Sequence, residues 1–374
     1  MQTRLVVIQP TSLCNINCRY CYLPQRNLNN RISDATLEQI FKALFVSSSF
    51  LDGRVSCVWH AGEPLVLSTA FYRRAFAIQQ KWNSAGIDII NSFQTNATLI
   101  TQEWCDFILE QHVRIGVSID GPQFLHNAQR VDWANHGTFE RVMRGIQLLK
   151  ANNIPFSVIS VVTGETVLYP DEFWHFFMDL RPTRLGLNPE EVEGCNTESS
   201  LHTPAGMQRY QQFLKRLLML NEQSDNPLPI REIDTILRRI KAGRLAPQVE
   251  TNTAAAILNF DTKGNISTFS PELLSVTHPT YGSFTLGNVF DTPLEQIFTA
   301  EKFIKMNTDI QNGIERCRES CEYFLLCGGG APSNKLYENG TFDSTETNAC
   351  RLRIKLTSDM LLDYLEQKYY LSAS

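Results

Sequence analysis

No apolar run in this chain approaches the roughly 18 residues that span a bilayer, so no membrane partner is expected. The start, Met1-Gln2-Thr3-Arg4, lacks a signal-peptide core, and the apolar Leu5–Ile8 is only strand-sized, which points to a cytoplasmic protein. Excess positive charge is also missing. A formal net charge of −5 argues against a general nucleic-acid binder. There is no internal repeat and no low-complexity segment. The remainder is ordinary for a globular protein, with 43% hydrophobic and 20% charged residues. Its 374 residues suggest two domains, or one large α/β barrel with an appendage.

Cysteine, by contrast, is plentiful and unevenly placed. Of ten, three cluster at 14, 18 and 21 and four at 317, 321, 327 and 350, while Cys57, Cys105 and Cys195 stand alone and read as inert or core thiols. Without an export signal, such clusters favour metal over disulfides. The stretch Cys14-Asn15-Ile16-Asn17-Cys18-Arg19-Tyr20-Cys21 has the spacing C-x₃-C-x₂-C. Three thiolates can hold three irons of a four-iron cluster and leave the fourth open to another ligand. A zinc ion would want a fourth Cys or His close by, and the next thirty residues contain neither.

Apolar or β-rich runs alternate with helical patterns up to about residue 190. The expected strands are Leu5–Gln9, Val55–Trp59, Asp88–Thr95, Val113–Ile119, Phe156–Thr163 and Arg184–Leu187. Ser33 can cap the first helix, with Leu37, Ile40, Phe41 and Leu44 at helical spacing. Six strand–helix units imply a parallel sheet, either a barrel or an open doubly wound sheet, working at the C-terminal ends of its strands. Polar and Gly/Pro-rich segments fall there: the first cysteines, His60-Ala61-Gly62-Glu63-Pro64, Gln94-Thr95-Asn96, Ser118-Ile119-Asp120-Gly121-Pro122 and Asn188-Pro189-Glu190-Glu191-Val192-Glu193-Gly194. The last segment is a solvated acidic loop or places a general base or a peptide-binding group, Glu190, Glu191 or Glu193, over the sheet. Asp261, in the hairpin turn Asp261-Thr262-Lys263-Gly264-Asn265, is a further candidate. The expected division is 1–235, a helical connector at 236–256, and a second unit at 257–374. The four C-terminal thiols could bind structural zinc or a second iron–sulfur cluster.

The three-cysteine stretch, with Tyr20 before its last cysteine, closely resembles the signature of the radical S-adenosylmethionine (SAM) superfamily. That resemblance implies a partial (β/α)6 TIM-type barrel and a [4Fe-4S] cluster on Cys14, Cys18 and Cys21 whose open iron binds SAM. It also implies an electron donor such as flavodoxin or ferredoxin. Ala61-Gly62-Glu63-Pro64 resembles the family's GGEP motif with Ala61 in place of its first glycine. Asn96, Ser118 and Arg130, with Tyr20, resemble positions near SAM, Arg130 being suited to a bidentate grip on its carboxylate. Cys317, Cys321, Cys327 and Cys350, with Gly328-Gly329-Gly330, resemble the C-terminal SPASM extension. Where that extension has CGGGCP, this chain has Ala331 before Pro332, and Ser267–Pro271 lacks an expected cysteine. The resemblance therefore implies one auxiliary [4Fe-4S] cluster, not two. The whole chain is similar to the cyclophane-forming peptide maturases of the GrrM/OscB kind, notably in Phe269-Ser270-Pro271-Glu272-Leu273-Leu274. This implies a ribosomally made precursor peptide as substrate, crosslinked from an aromatic ring to the β-carbon of a residue two positions later. The alternatives are formylglycine formation of the anaerobic sulfatase-maturase type and a non-enzymatic metal-binding protein.

Overall fold

Six strands carry the first half of the chain in a computed structural model that describes residues 1–46, 50, 51, 53–243, 249–274 and 276–372. They are β1 (Leu5–Ile8), β2 (Arg54–Trp59), β3 (Asp88–Thr95), β4 (Arg114–Ser118), β5 (Phe156–Val162) and β6 (Leu185–Pro189). Each pairs in parallel with the next. Between them run α1 (Asp34–Val46), α2 (Thr69–Trp82), α3 (Gln102–Glu110), α4 (Gln123–Gln129), α5 (Phe139–Ala151) and α6 (Pro170–Leu180). The sheet ends at β6 and stays open, so the expected α/β partial barrel is what forms.

Local chemistry accounts for these elements. The Ser33 hydroxyl accepts the Thr36 N–H at 3.0 Å at the start of α1, which buries Leu37, Ile40, Phe41 and Leu44. Behind β2 and β3 an aromatic group fills the layer under α2 and α3. Tyr72 meets Trp59 at 5.2 Å and Phe93 at 4.6 Å between ring centroids. Such pairs contribute about 0.5–1.5 kcal/mol each beyond their buried area. The Tyr72 hydroxyl also donates to the Pro64 carbonyl at 2.9 Å, so this core fixes the loop that follows β2.

Beyond β6 the chain continues in helices and then in further strands. The helical pattern after residue 200 forms α7 (Pro204–Glu222) and α8 (Arg231–Ala242). The apolar face of α7 packs on α6, with Phe213 against Phe173 at 5.2 Å, so it joins the outer layer of the barrel. Residues 244–248 of the expected connector lie outside the described residues. Where the second unit was expected to open, Ile257–Phe260 forms β7, which pairs in parallel with β1. β8 (Asn265–Thr268) then pairs antiparallel with β7. All four residues of β7 are buried, and β1, with β2 on one side, has a free edge to offer. The sheet thus runs on into the C-terminal region. That region continues with helices Glu301–Ser320, Phe324–Cys327 and Pro332–Asn339 and ends in Thr357–Ser372. No helix among the described residues is long and apolar enough to cross a membrane.

Candidate active site

The loop after β1 carries Cys14, Cys18 and Cys21, and its backbone is pinned on several sides. Cys14 N donates to Arg26 O at 2.8 Å, Asn17 N to Val131 O at 2.7 Å, and Arg19 N to Gln129 O at 3.0 Å. Side-chain donors point at two of the sulfurs. Asn96 Nδ2 lies 3.9 Å from Cys14 Sγ, and Arg130 Nη1 lies 3.9 Å from Cys18 Sγ. Burial pushes the Cys18 thiol up to about 11, against the opposing charge of Arg130. Burial, and then the Glu63 charge, also raises Cys14. As bare thiols both hold their protons, and a metal would displace them. Three thiols backed by an amide and a guanidinium fit an anionic thiolate cluster.

The segment after β2 docks against this loop. Gly62 has φ +116°, and a Cβ there would lie 2.2 Å from the Thr11 carbonyl oxygen. Only glycine lets the two loops approach so closely. Ala61 holds φ +68°, a left-handed conformation that suits glycine, the residue of the family motif at this position. Glu63 is buried and turns its carboxylate inward. It accepts from Thr95 Oγ1 at 2.6 Å, Asn96 N at 2.8 Å and Leu65 N at 3.0 Å, while burial pushes its carboxyl up to about 7. Glu63 thereby sets the position of Asn96, whose side chain also donates to Asn15 Oδ1 at 2.9 Å. The Ser118 hydroxyl, at the end of β4, accepts from Gln94 Nε2 at 2.9 Å.

Asp120 is the residue that sequence reasoning passed over. Its buried carboxylate takes both prongs of Arg130, Nε at 3.0 Å and Nη2 at 3.1 Å. It also accepts the Tyr20 hydroxyl and, at 3.0 Å, the Val161 N–H. The bidentate grip expected of Arg130 on a ligand carboxylate is therefore made to Asp120, because a buried guanidinium needs a fixed counter-charge. Nη1 remains toward the Cys18 sulfur. The Arg130 guanidinium also lies over the Tyr20 ring at 5.5 Å. Behind this pair, Asp120 N approaches His126 Nδ1 at 3.4 Å. That leaves Nε2–H to donate to Thr138 Oγ1 at 2.9 Å, whose own hydroxyl donates to Arg130 O at 2.8 Å. Burial lowers His126 to about 3, so it stays neutral in this chain of contacts.

The carboxylates proposed as bases separate by environment. Glu190 is occupied by the Ser200 N–H at 2.7 Å and the Ser200 hydroxyl. Asp261 lines a cleft of about 230 Å³ with Ala61, Gln9 and Ser12, but its carboxylate braces its own hairpin through Lys263 N at 2.8 Å and Asn265 N at 2.9 Å. Glu191 and Glu193 reach the C-terminal region. Glu191 pairs with Arg353 at 2.6 Å and accepts from Asn334 at 3.0 Å. Glu193 accepts from Asn334 at 3.1 Å and Ser333 at 3.3 Å, beside Ala331. Glu272, unexpected from its spacing, joins them. Burial and then the Glu272 charge push Glu193 well above the usual carboxylate range. Burial, with the Glu191 charge, pushes Glu272 up to about 7. Tyr22 is held beside this group, its hydroxyl 3.3 Å from His60 Nε2.

Cys317, Cys321, Cys327 and Cys350 line one cavity of about 290 Å³. No group of three metal-binding side chains among the described residues closes around a single ion. The four thiols instead ring a space, and Lys335 Nζ lies 3.6 Å from Cys317 Sγ. This donor set fits a cluster with cations around it.

The sequence profile of the radical SAM superfamily matches residues 8–179. An uncharacterized protein of Synechocystis sp., sll1766, is 44% identical over 369 residues, which is 98% of this chain and 92% of that one. The cysteine-type anaerobic sulfatase-maturating enzyme of Clostridium perfringens is 28% identical over 342 residues, 87% of this chain and 88% of that one. Among solved structures, native anSMEcpe with bound AdoMet and a peptide superposes with a TM-score of 0.81 at 24% identity, covering 98% of both chains. Streptococcus suis SuiB bound to precursor peptide SuiA superposes with a TM-score of 0.63 at 15% identity, covering 94% of this chain and 76% of that one. At these identities the structural likeness is one of fold.

Proposed function

The chain belongs to the radical SAM superfamily, and on that footing we propose that it crosslinks a ribosomally made precursor peptide, joining an aromatic ring to the β-carbon of a residue two positions later. The superfamily carries a [4Fe-4S] cluster, here assigned to Cys14, Cys18 and Cys21. A second [4Fe-4S] cluster is assigned to Cys317, Cys321, Cys327 and Cys350. When bound, the first cluster with SAM supplies a carbon radical and the second an electron sink. The radical so supplied would take one hydrogen atom from the peptide β-carbon, which would then bond to the ring carbon. One electron and one proton then leave, so each crosslink removes two hydrogens.

This chain's residues have distinct tasks in that reading. Gly62 and Glu63 seat the loop that faces SAM, and Asn96 and Ser118 present polar atoms beside it. Glu193 and Glu272 are the base candidates: burial and a neighbouring carboxylate push Glu193 well above the usual carboxylate range, and burial pushes Glu272 up to about 7. The observation that carries the reading is the cysteine set. Ala331 stands next to Ser333 and Asn334, which bind Glu193, so carboxylates occupy the neighbourhood of the absent thiol.

Formylglycine formation is the second reading, favoured by the likeness to the Clostridium perfringens enzyme over most of both chains. Iron content separates the two cheaply. About eight irons per chain fit the first reading and about twelve fit a maturase with two auxiliary clusters. Co-expression with a small peptide encoded nearby decides the chemistry. Serine oxidation to formylglycine also removes two hydrogens, so tandem mass spectra and carbonyl labelling are needed. A ring that resists fragmentation across three residues supports crosslinking; an aldehyde that captures hydrazine refutes it.

A further inference from the structure

Lys335 is buried, only 4% exposed, on the helix Pro332–Asn339. Its ammonium donates to the Gly313 carbonyl at 2.9 Å and to Cys317 Sγ at 3.6 Å. Gly313, on the facing helix Glu301–Ser320, makes room for it: a Cβ there would lie 3.1 Å from Nζ and 2.4 Å from the Phe342 carbonyl oxygen. Among the described residues no carboxylate pairs with this ammonium. The other cations in the wall differ. Lys355 is neutralised by Glu346, Arg353 pairs with Glu191 at 2.6 Å, and Arg239 turns Nη1 to the Leu326 carbonyl at 2.7 Å and is half-buried. A buried, unpaired ammonium is strongly disfavoured unless an anion is supplied. Among the described residues the candidate it touches is the sulfur of Cys317, one of four thiols around a single cavity.

We infer that Lys335 is the built-in counter-cation of the four-cysteine centre, donating to the Cys317 sulfur and raising the potential at which that centre accepts an electron. The inference rests on the proposal that these cysteines hold an iron–sulfur cluster. Net charge and hydrogen bonds to sulfur are among the factors that set the potential of such clusters. A cation and an N–H donor on one ligand both stabilise the more negative, reduced form. This suits a centre that must take an electron from a substrate as the substrate is oxidised. A lysine kept only for packing would leave the potential where it was.

The test uses the full chain, reconstituted anaerobically, in a Cys14→Ala, Cys18→Ala, Cys21→Ala background so that one cluster remains. Lys335→Met, Lys335→Gln and Lys335→Arg are compared with this parent by iron content and by potentiometric titration of the reduced-cluster spin signal. The expected result is about four irons per chain in each. In the Met and Gln variants the reduced-to-oxidised ratio at fixed potential falls about tenfold, equivalent to about 59 mV for one electron. Arg restores most of it. If Met loses the cluster, Gln, which keeps a donor without the charge, decides. Unchanged potentials with iron retained overturn the role of Lys335 and leave the cluster assignment standing. A parent that binds no iron overturns the cluster assignment itself.

Discussion

Replacing Asp120 by Asn removes one charge and almost no volume, yet it strikes the most interconnected side chain near the first cysteine loop. Arg130 and Asp120 side chains are 8% and 2% exposed. Losing one partner of such a pair strands the other charge, which costs about 3–5 kcal/mol. At about 2.1 cal/mol/K of unfolding entropy per residue, a chain of 374 residues should lose about 4–6 °C in Tm. Asp120→Asn with Arg130→Met removes both charges and should recover at least half of that loss. Arg130→Met alone should lose less than Asp120→Asn, because the Val161 N–H and Tyr20 hydroxyl still pair with the carboxylate. The two singles and the double form a cycle read by thermal unfolding of the reconstituted protein. Iron uptake should fall in Asp120→Asn, since Tyr20 and Arg130 both flank the cysteines. A Tm within about 1 °C of the parent, or a double variant no more stable than Asp120→Asn, refutes the reasoning.

Three further outcomes are expected. The Cys14→Ala, Cys18→Ala, Cys21→Ala protein should form no 5′-deoxyadenosine from SAM under reducing conditions, and chromatographic detection of it would sink the assignment of the first cluster. Gly62→Ala places a methyl group 2.2 Å from a backbone oxygen that cannot swing aside, so SAM cleavage should drop at least about tenfold, whereas Ala61→Gly, which relieves φ +68°, should be tolerated; equal rates for Gly62→Ala and parent refute the close approach. Glu272 titrates near 7 when folded against an ordinary 4.5, so the folded state binds the extra proton between those values and stability falls as pH rises through that window. Glu272→Gln should flatten that decline in denaturation curves taken across it, and should uncouple 5′-deoxyadenosine formation from crosslinked product; an unchanged pH slope contradicts the buried carboxyl.

Much of the barrel was legible because its signals are local. Ser33 caps α1, strand runs end in Gly- and Pro-rich loops, and the face of α7 through Tyr210, Phe213 and Leu217 is regular. What stayed hidden depends on distance along the chain. The apolar stretch Ile257–Phe260 stands before an expected hairpin turn, but nothing in it names β1 as partner. Arg130 has the chemistry to grip a carboxylate, and only the fold shows that Asp120 supplies it. Glu272 lies in a segment noted for its similarity, yet no spacing ties it to Glu193. No motif marks Lys335; its burial against Cys317 follows from the packing of two helices around Gly313.

The pairing of β1 with β7 sets a timetable for synthesis. Thr3 Oγ1 bonds the Ala255 carbonyl across a separation of 252 residues, and each residue of β1 has its partner in Ile257–Phe260. While the ribosome is still making the middle of the chain, the strand that launches the cysteine loop has one edge bare. Its ladder closes only after β7 has emerged, a contact of long range that forms late. The strand that launches the cysteine loop therefore gains its second neighbour only once Phe260 has been made.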